Sequence, residues 1–340
     1  MPRSRNEKVK LRCLIALVLL VACSAKAAPR EVVGWYFGSG EGPWDTVNAN
    51  FDAISMICPT WMGIKGSRGE IYCREDPRLT AFAKEHSIKL VPLIWGSDRR
   101  AMHELFNSIE YRTRLVRNIV AALDSISYCQ GINLDFEGLD PQDRYVYDLF
   151  VIELAAKLKP KGYLLTIDVP AKASESLTNS WAGAFDYPEI GRYCDFVMIM
   201  TYDEHWSTSR PGPVSSVQLC DRTLAYATSV IPPEKILMGV PFYGYDWPEK
   251  GRASSYLYSR TARRLAETQA KFNWDREAKV PWFVYTDSDG AKRTTYFENA
   301  RSIAAKLVIA RKWNVGGVCI WSLGNEDPAI WDAIREYRRR

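Results

Sequence analysis

The run Gln130-Gly131-Ile132-Asn133-Leu134-Asp135-Phe136-Glu137 alternates apolar and polar residues and ends in two acids spaced i, i+2. On a β-strand, side chains of period two share one face. Asn133, Asp135 and Glu137 therefore point one way, and Ile132, Leu134 and Phe136 the other. Two carboxyl groups held side by side on rigid backbone suit proton transfer at a glycosidic bond. Gly138 follows at once, which sets the acids at the end of the strand.

Such a pair needs a scaffold that fixes both groups. Short apolar segments recur at 31–37, 53–60, 89–95, 130–137, 163–169, 195–202, 236–243 and 317–321. Helical patterns at 77–86, 109–126, 142–157, 219–231 and 300–312 lie between most of them. Strand–helix alternation predicts a parallel sheet, and eight such units predict an α/β fold of the (β/α)8 TIM-barrel type. An open, doubly wound sheet is the alternative. The connection between the last two strands is too long for one helix. Within it, 282–286 and 292–297 flank the turn Asp287-Ser288-Asp289-Gly290 and predict a hairpin. We expect a small α+β insertion at about 245–298 that walls a cleft.

In a barrel the active site gathers at the C-terminal strand ends. Asp135 and Glu137 end the fourth strand, Tyr202 and Asp203 the sixth, Tyr243 the seventh and Trp321 the eighth; Trp95 ends the third and Tyr36 lies near the end of the first. Aromatic faces suit sugar rings and carboxylates suit hydroxyls.

At 340 residues and 47% hydrophobic, the chain can bury a large core in one or two domains. Basic residues 1–12, an apolar run at 14–22 and Ala25-Lys26-Ala27 read as an export signal over 1–27, leaving 28–340 as the catalytic unit. Leu20-Val21-Ala22-Cys23 also fits a lipobox, so a lipid anchor through Cys23 and soluble export both stay open. Without residues 1–27 the chain has 39 basic and 39 acidic residues, so the formal charge of +5 belongs to the leader and gives no support to a nucleic-acid partner. Export permits disulfides, and Cys58–Cys73 is the favoured bridge, with Cys129, Cys194 and Cys319 read as buried thiols. His86, His103 and His205 have no ligand spacing, so neither metal nor cofactor is expected. Gly38, Gly40 and Gly42 miss the dinucleotide-loop spacing.

The segment Gly131–Glu137 resembles the catalytic strand of glycoside hydrolase family 18, the chitinase family, whose pattern is D-x-x-D-x-D-x-E. Met200-Thr201-Tyr202-Asp203 is similar to that family's M-x-Y-D, and Trp321 to its eighth-strand tryptophan. Thr201-Tyr202-Asp203-Glu204-His205 and the run from Met238 to Trp247 resemble the branch of spore-cortex-lytic N-acetylglucosaminidases and di-N-acetylchitobiase. The resemblance covers residues 31–335.

It implies substrate-assisted hydrolysis of β-linked N-acetylglucosamine glycans, chitin or peptidoglycan; the leader adds export, and a monomer without a protein partner is expected. Glu137 would protonate the glycosidic oxygen, and the substrate's N-acetyl oxygen would be the nucleophile. Asp135 would orient the acetamido group, Tyr202 would bond its carbonyl, and Trp321 would floor the −1 sugar. Asp203, Asn133, Met200, Tyr243 and Trp95 complete the expected binding set. The chain departs from the pattern twice, with Gln130 for the first Asp and Asn133 for the middle one. Gln130 is read as structural. Asn133 is expected to hold Asp135 in one orientation without adding a third charge. Rival readings are a lectin on the same fold and an endo-acting enzyme on N-glycans.

Overall fold

The computed structural model describes residues 29–38, 40–256, 258–324 and 326–339; the leader and Cys23 lie outside them. The chain lays down β1 (Glu31–Tyr36), β2 (Met56–Pro59), the hairpin β3 (Met62–Lys65) and β4 (Glu70–Cys73), then β5 (Lys89–Leu90), β6 (Leu93–Gly96), β7 (Gly131–Phe136), β8 (Leu164–Pro170), β9 (Phe196–Met200) and β10 (Ile236–Pro241). A second sheet follows, from β11 (Gly244–Pro248), β12 (Ser254–Tyr256), β13 (Asn273–Asp275), β14 (Val280–Thr286) and β15 (Lys292–Tyr296), before β16 (Gly317–Trp321) completes the first.

The main sheet has eleven strands in the order β4-β3-β6-β7-β8-β9-β10-β16-β1-β2-β5, parallel except for the β3–β4 hairpin. It curls round on itself. β5 pairs with β2, and two residues later β6 pairs with β3 and β7. Pro92 interrupts what the sequence offered as one third strand, because proline has no N–H to give a ladder. Gln130 bridges that break: its N–H bonds the Leu90 carbonyl at 2.8 Å and its Oε1 accepts from Leu90 N at 2.6 Å. The residue is structural, as its place at the strand start suggested. This curled α/β sheet agrees with a TIM barrel.

Strand parity sorts the apolar residues into two layers. Val33, Trp35, Met56, Cys58, Leu93 and Cys319 pack inside the curl. Ile132, Leu134 and Phe136 pack outside it, under the helices, together with Val32 and Tyr36. Tyr36 is therefore not at the mouth; alternation turns it outward and brings its neighbour Trp35 inside. The catalytic strand is braced from behind, where Phe136 meets Phe106 at 5.6 Å and Phe150 at 5.9 Å between ring centroids. Full burial of such a ring stabilises by about 1.5–3 kcal/mol.

The expected Cys58–Cys73 bridge is not formed. Cys58 points into the curl from β2, whereas Cys73 ends the solvent-facing strand β4 and is exposed. The six described cysteines are free thiols, four of them buried.

The second sheet is antiparallel, in the order β12-β11-β15-β14-β13. Its hub is buried Asp246, which accepts from Tyr285 Oη at 2.9 Å, Arg293 Nε at 2.7 Å and Thr295 Oγ1 at 2.9 Å. Two strands, β14 and β15, are thereby pinned to β11, where Tyr245, next to Asp246, turns to the opposite face.

Behind β10, the helix Ala300–Lys312 buries Lys306 against Glu298, with Nζ 2.9 and 2.8 Å from the two carboxylate oxygens and both side chains at 2% exposure or less. Removing one partner strands the other charge. Lys306→Ala should lower unfolding stability by about 3–5 kcal/mol, read as a fall in the denaturant midpoint; a loss under about 1 kcal/mol would contradict the pairing.

Candidate active site

β7 delivers the two acids. Its register with β6 sets Asp135 beside Trp95, and its register with β8 sets Asn133 beside Thr166. Gly138, at φ 68°, turns the chain away directly after Glu137, and Arg99 Nε holds its carbonyl at 2.9 Å. The left-handed conformation is one that glycine adopts without a Cβ clash. The acids thus sit where a rigid strand gives way to a turn.

Both carboxyls open into a cavity of about 810 Å³. Tyr202, Asp203, Met200, Tyr243 and Trp321 line it too, from the ends of β9, β10 and β16. Tyr202 lies over Gly239 of β10, where an added Cβ would come 2.5 Å from the Ile199 carbonyl oxygen and 3.0 Å from the tyrosine ring. That glycine is the space the ring occupies. Tyr243 donates its hydroxyl to Asp203, and the Tyr202 and Tyr243 rings meet edge to face at 6.3 Å. Asp203 adopts φ 56°, an uncommon conformation for a side chain of its type, which aims its carboxyl back at the cavity. Trp321 stands edge-on to Trp35 at 5.9 Å and against Phe37 at 5.8 Å.

Two expected residues are placed differently. Trp95 is exposed and does not line the cavity; its indole N–H donates to Tyr72 Oη at 2.9 Å, toward the β3–β4 hairpin that the sequence reading lacked. Asn133 is fully buried beneath the cavity floor. Its amide does not clamp Asp135: Nδ2 donates to Asp168 Oδ1 at 2.9 Å, and Oδ1 accepts from Trp35 Nε1 at 3.0 Å. Trp35 Nε1 also reaches Asp168 Oδ2 at 3.1 Å.

Asp168, Trp35, Trp181, Trp206 and Tyr245 are lining residues that the sequence reading missed. A signal for Asp168 was present, because an acid inside the apolar alternation Leu164–Pro170 has to point into the sheet's polar face. Trp181 and Trp206 sit in loops, where no periodicity marks a facing.

Electrostatics couples the acids. Burial pushes the Asp135 carboxyl up, and its contact with Glu137 pushes it further, both by charge and by a shared hydrogen bond. Glu137 is also raised, first by burial and then by the charge of Asp203, while its bond with Asp135 works the other way. Asp168 is raised by burial and then by Asp135. Two carboxyls in contact hold one proton between them, so the pair titrates as a unit. The arrangement can supply one acid and one adjacent negative charge at neutral pH. No group of three or more potential metal ligands occurs among the described residues.

The sequence profile of the glycosyl hydrolases family 18 matches residues 45–326. The chain belongs to that family, and it is a glycosidase. It is 32% identical to the uncharacterized glycosylase YvbX of Bacillus subtilis (strain 168), across 95% of this chain and 96% of YvbX. It is 30% identical to the cortical fragment-lytic enzyme of Bacillus anthracis across 66% of this chain, and spans about half (53%) of that relative. Among solved structures, the spore cortex-lytic enzyme SleL of Bacillus megaterium QM B1551 superposes with a TM-score of 0.84 at 25% identity, over 93% of this chain and 75% of SleL. A chitinase from Chromobacterium violaceum ATCC 12472 gives 0.82 at 26% identity, over 91% and 98%. These likenesses favour a catalyst over the lectin reading.

Proposed function

We propose that this chain is an exported, monomeric, retaining glycosidase that cleaves β-linked N-acetylglucosamine glycans, chitin oligosaccharides or peptidoglycan, with the substrate's own acetamido oxygen as nucleophile. The observation that carries it is the placement of Asp135 and Glu137 two residues apart at the end of one strand, both lining the same cavity. Acids side by side on one wall do not stand on opposite faces of a glycosidic bond, so they do not divide the roles of acid and opposed nucleophile. One is an acid and the other its charge partner, which leaves the nucleophile to the sugar.

Glu137 protonates the leaving oxygen and later takes a proton from water. Asp135 faces the acetamido N–H and balances the positive charge that grows on the oxazolinium ion. Tyr202 bonds the acetamido oxygen, Trp321 floors the ring, and Asp203 with Tyr243 binds its hydroxyls. The (β/α)8 barrel supplies the strand ends, and the insertion at about 245–298 walls the cleft through Tyr245. Relatives named for cortex-fragment lysis and for chitin support the substrate class. No described helix is long and apolar enough to cross a membrane.

The test is a pair of chromogenic β-disaccharide glycosides, one carrying 2-acetamido groups and one carrying 2-hydroxyls. The first should be cleaved with the β-anomer as initial product by NMR, and the second at least about a hundredfold more slowly. Equal rates on the two, or an inverted product, would end the substrate-assisted reading.

A further inference from the structure

The family pattern places an acid where this chain has Asn133, and the structure shows a buried acid one strand away instead. The β7–β8 register runs Gly131↔Leu164 through Leu134↔Ile167, so Asp168 sits on the rung next to Asp135. Asp168 is 3% exposed and both its oxygens are engaged, one by Asn133 Nδ2 and one by Trp35 Nε1. We propose that Asp168 is a positioning residue for glycoside cleavage, a displaced third carboxyl that is held by Asn133 and Trp35 and, from the rung beside Asp135 in the same cavity, sets the charge state of that residue. The inference rests on the function proposed above.

Burying a carboxyl inside the curled sheet is costly unless pairing or hydrogen bonds offset the lost water. The titratable groups that interact with it are Asp135 on β7 and Glu137 just after it, Cys58 on β2, Cys319 on β16, Tyr202 after β9 and, across the sheet, Tyr147 on the helix Arg144–Leu158. Each of these is an acid or a neutral group when protonated, and none is basic. Asp168 therefore gains no ion pair from them. What it gains is two hydrogen bonds, and it and Asp135 repel each other when both are charged. That repulsion favours a proton retained among Asp168, Asp135 and Glu137, from which the leaving oxygen is served.

The triad has an exchange symmetry. Trp35 Nε1 donates to both residue 133, at 3.0 Å, and residue 168, at 3.1 Å, and the two are bonded to each other at 2.9 Å. If amide and carboxylate trade places, every one of these bonds can be kept. Asn133→Asp with Asp168→Asn returns the carboxyl to strand β7 without a new cavity.

The experiment compares wild type, Asp168→Asn and the exchanged double variant, each shown folded by its thermal transition. The first readout needs no substrate: the carboxyl 13C resonance of Asp135, identified by its loss in Asp135→Asn, is titrated with pH. Its midpoint should fall by about one pH unit or more in Asp168→Asn and return upward in the exchanged variant. The second readout is turnover of the 2-acetamido glycoside. Asp168→Asn should lower kcat on the order of ten- to a hundredfold, with KM changed by less than about threefold. The exchanged variant should raise kcat about tenfold above that. An unmoved Asp135 midpoint overturns the proposal even if wild type cleaves no N-acetylglucosamine glycan. So does a double variant no better than Asp168→Asn by either readout. Failure of wild-type turnover with the midpoint shift intact counts against the proposed substrate alone.

Discussion

Glu137→Gln should lower kcat on the order of 10³–10⁴-fold, with KM and the thermal midpoint close to wild type. The change is isosteric and removes only the transferable proton. Glu137 sits at the cavity wall, is raised by burial and by Asp203, and shares a hydrogen bond with Asp135. A glutamine keeps the contact and cannot give the proton. Its neighbour should respond as well: without the charge of Glu137, the Asp135 carboxyl should titrate lower than in wild type. The Glu137 carboxyl sets the alkaline limb of activity in the wild-type enzyme. The acid works when protonated, and its raised pKa keeps it so above the ordinary glutamate range; activity therefore holds through that range and falls as pH rises through the shifted value. A limb at the ordinary glutamate value, or a Glu137→Gln protein within tenfold of wild type, would remove Glu137 from its role.

Asp135→Asn should cost on the order of 10²–10³-fold in kcat. Its charge is the one that faces the growing oxazolinium, and it is held by the stiffest part of the molecule. Phe136 locks the strand from behind, and β6 and β8 flank it by register. The amide keeps the shape and loses the charge, so the effect falls on the transition state more than on substrate affinity. The alkaline limb should not fall, because the bond with Asp135 lowers the Glu137 carboxyl, while burial and Asp203, which raise it, remain. Steady-state kinetics on the 2-acetamido glycoside across pH checks both. A drop in kcat/KM carried wholly by KM would show Asp135 to be a binding residue only.

The legible part of the site was the part carried by strand parity and by runs of residues close in sequence. The alternation from Ile132 to Glu137 needs no partner to be read, because a strand turns every second side chain the same way. Tyr202, Asp203, Tyr243 and Trp321 follow apolar runs directly, so their position at strand ends was visible as well. Tyr36 shows the limit of that reading: at the end of a strand, one residue of phase separates the mouth from the outer core, and Trp35 took the inner place. Trp95 was in phase, yet the β3–β4 hairpin beside it drew its indole to Tyr72. Cys58 and Cys73 are near in sequence and lie on different sides of the sheet wall.

The sequence by itself determined the alternation of strands and helices, the acids at the end of the fourth strand, and the chemistry two such acids can share. These are local properties of periodicity and residue type. Only the tertiary structure decided what lies under those acids. Asn133, Asp168 and Trp35 come from three separate strands and meet because the sheet curls. Hydrogen bonds between residues 35, 98 or 133 positions apart leave no periodic trace in a single chain. The carboxyl that the motif lacks at 133 was on the next strand, where only register could place it beside Asp135.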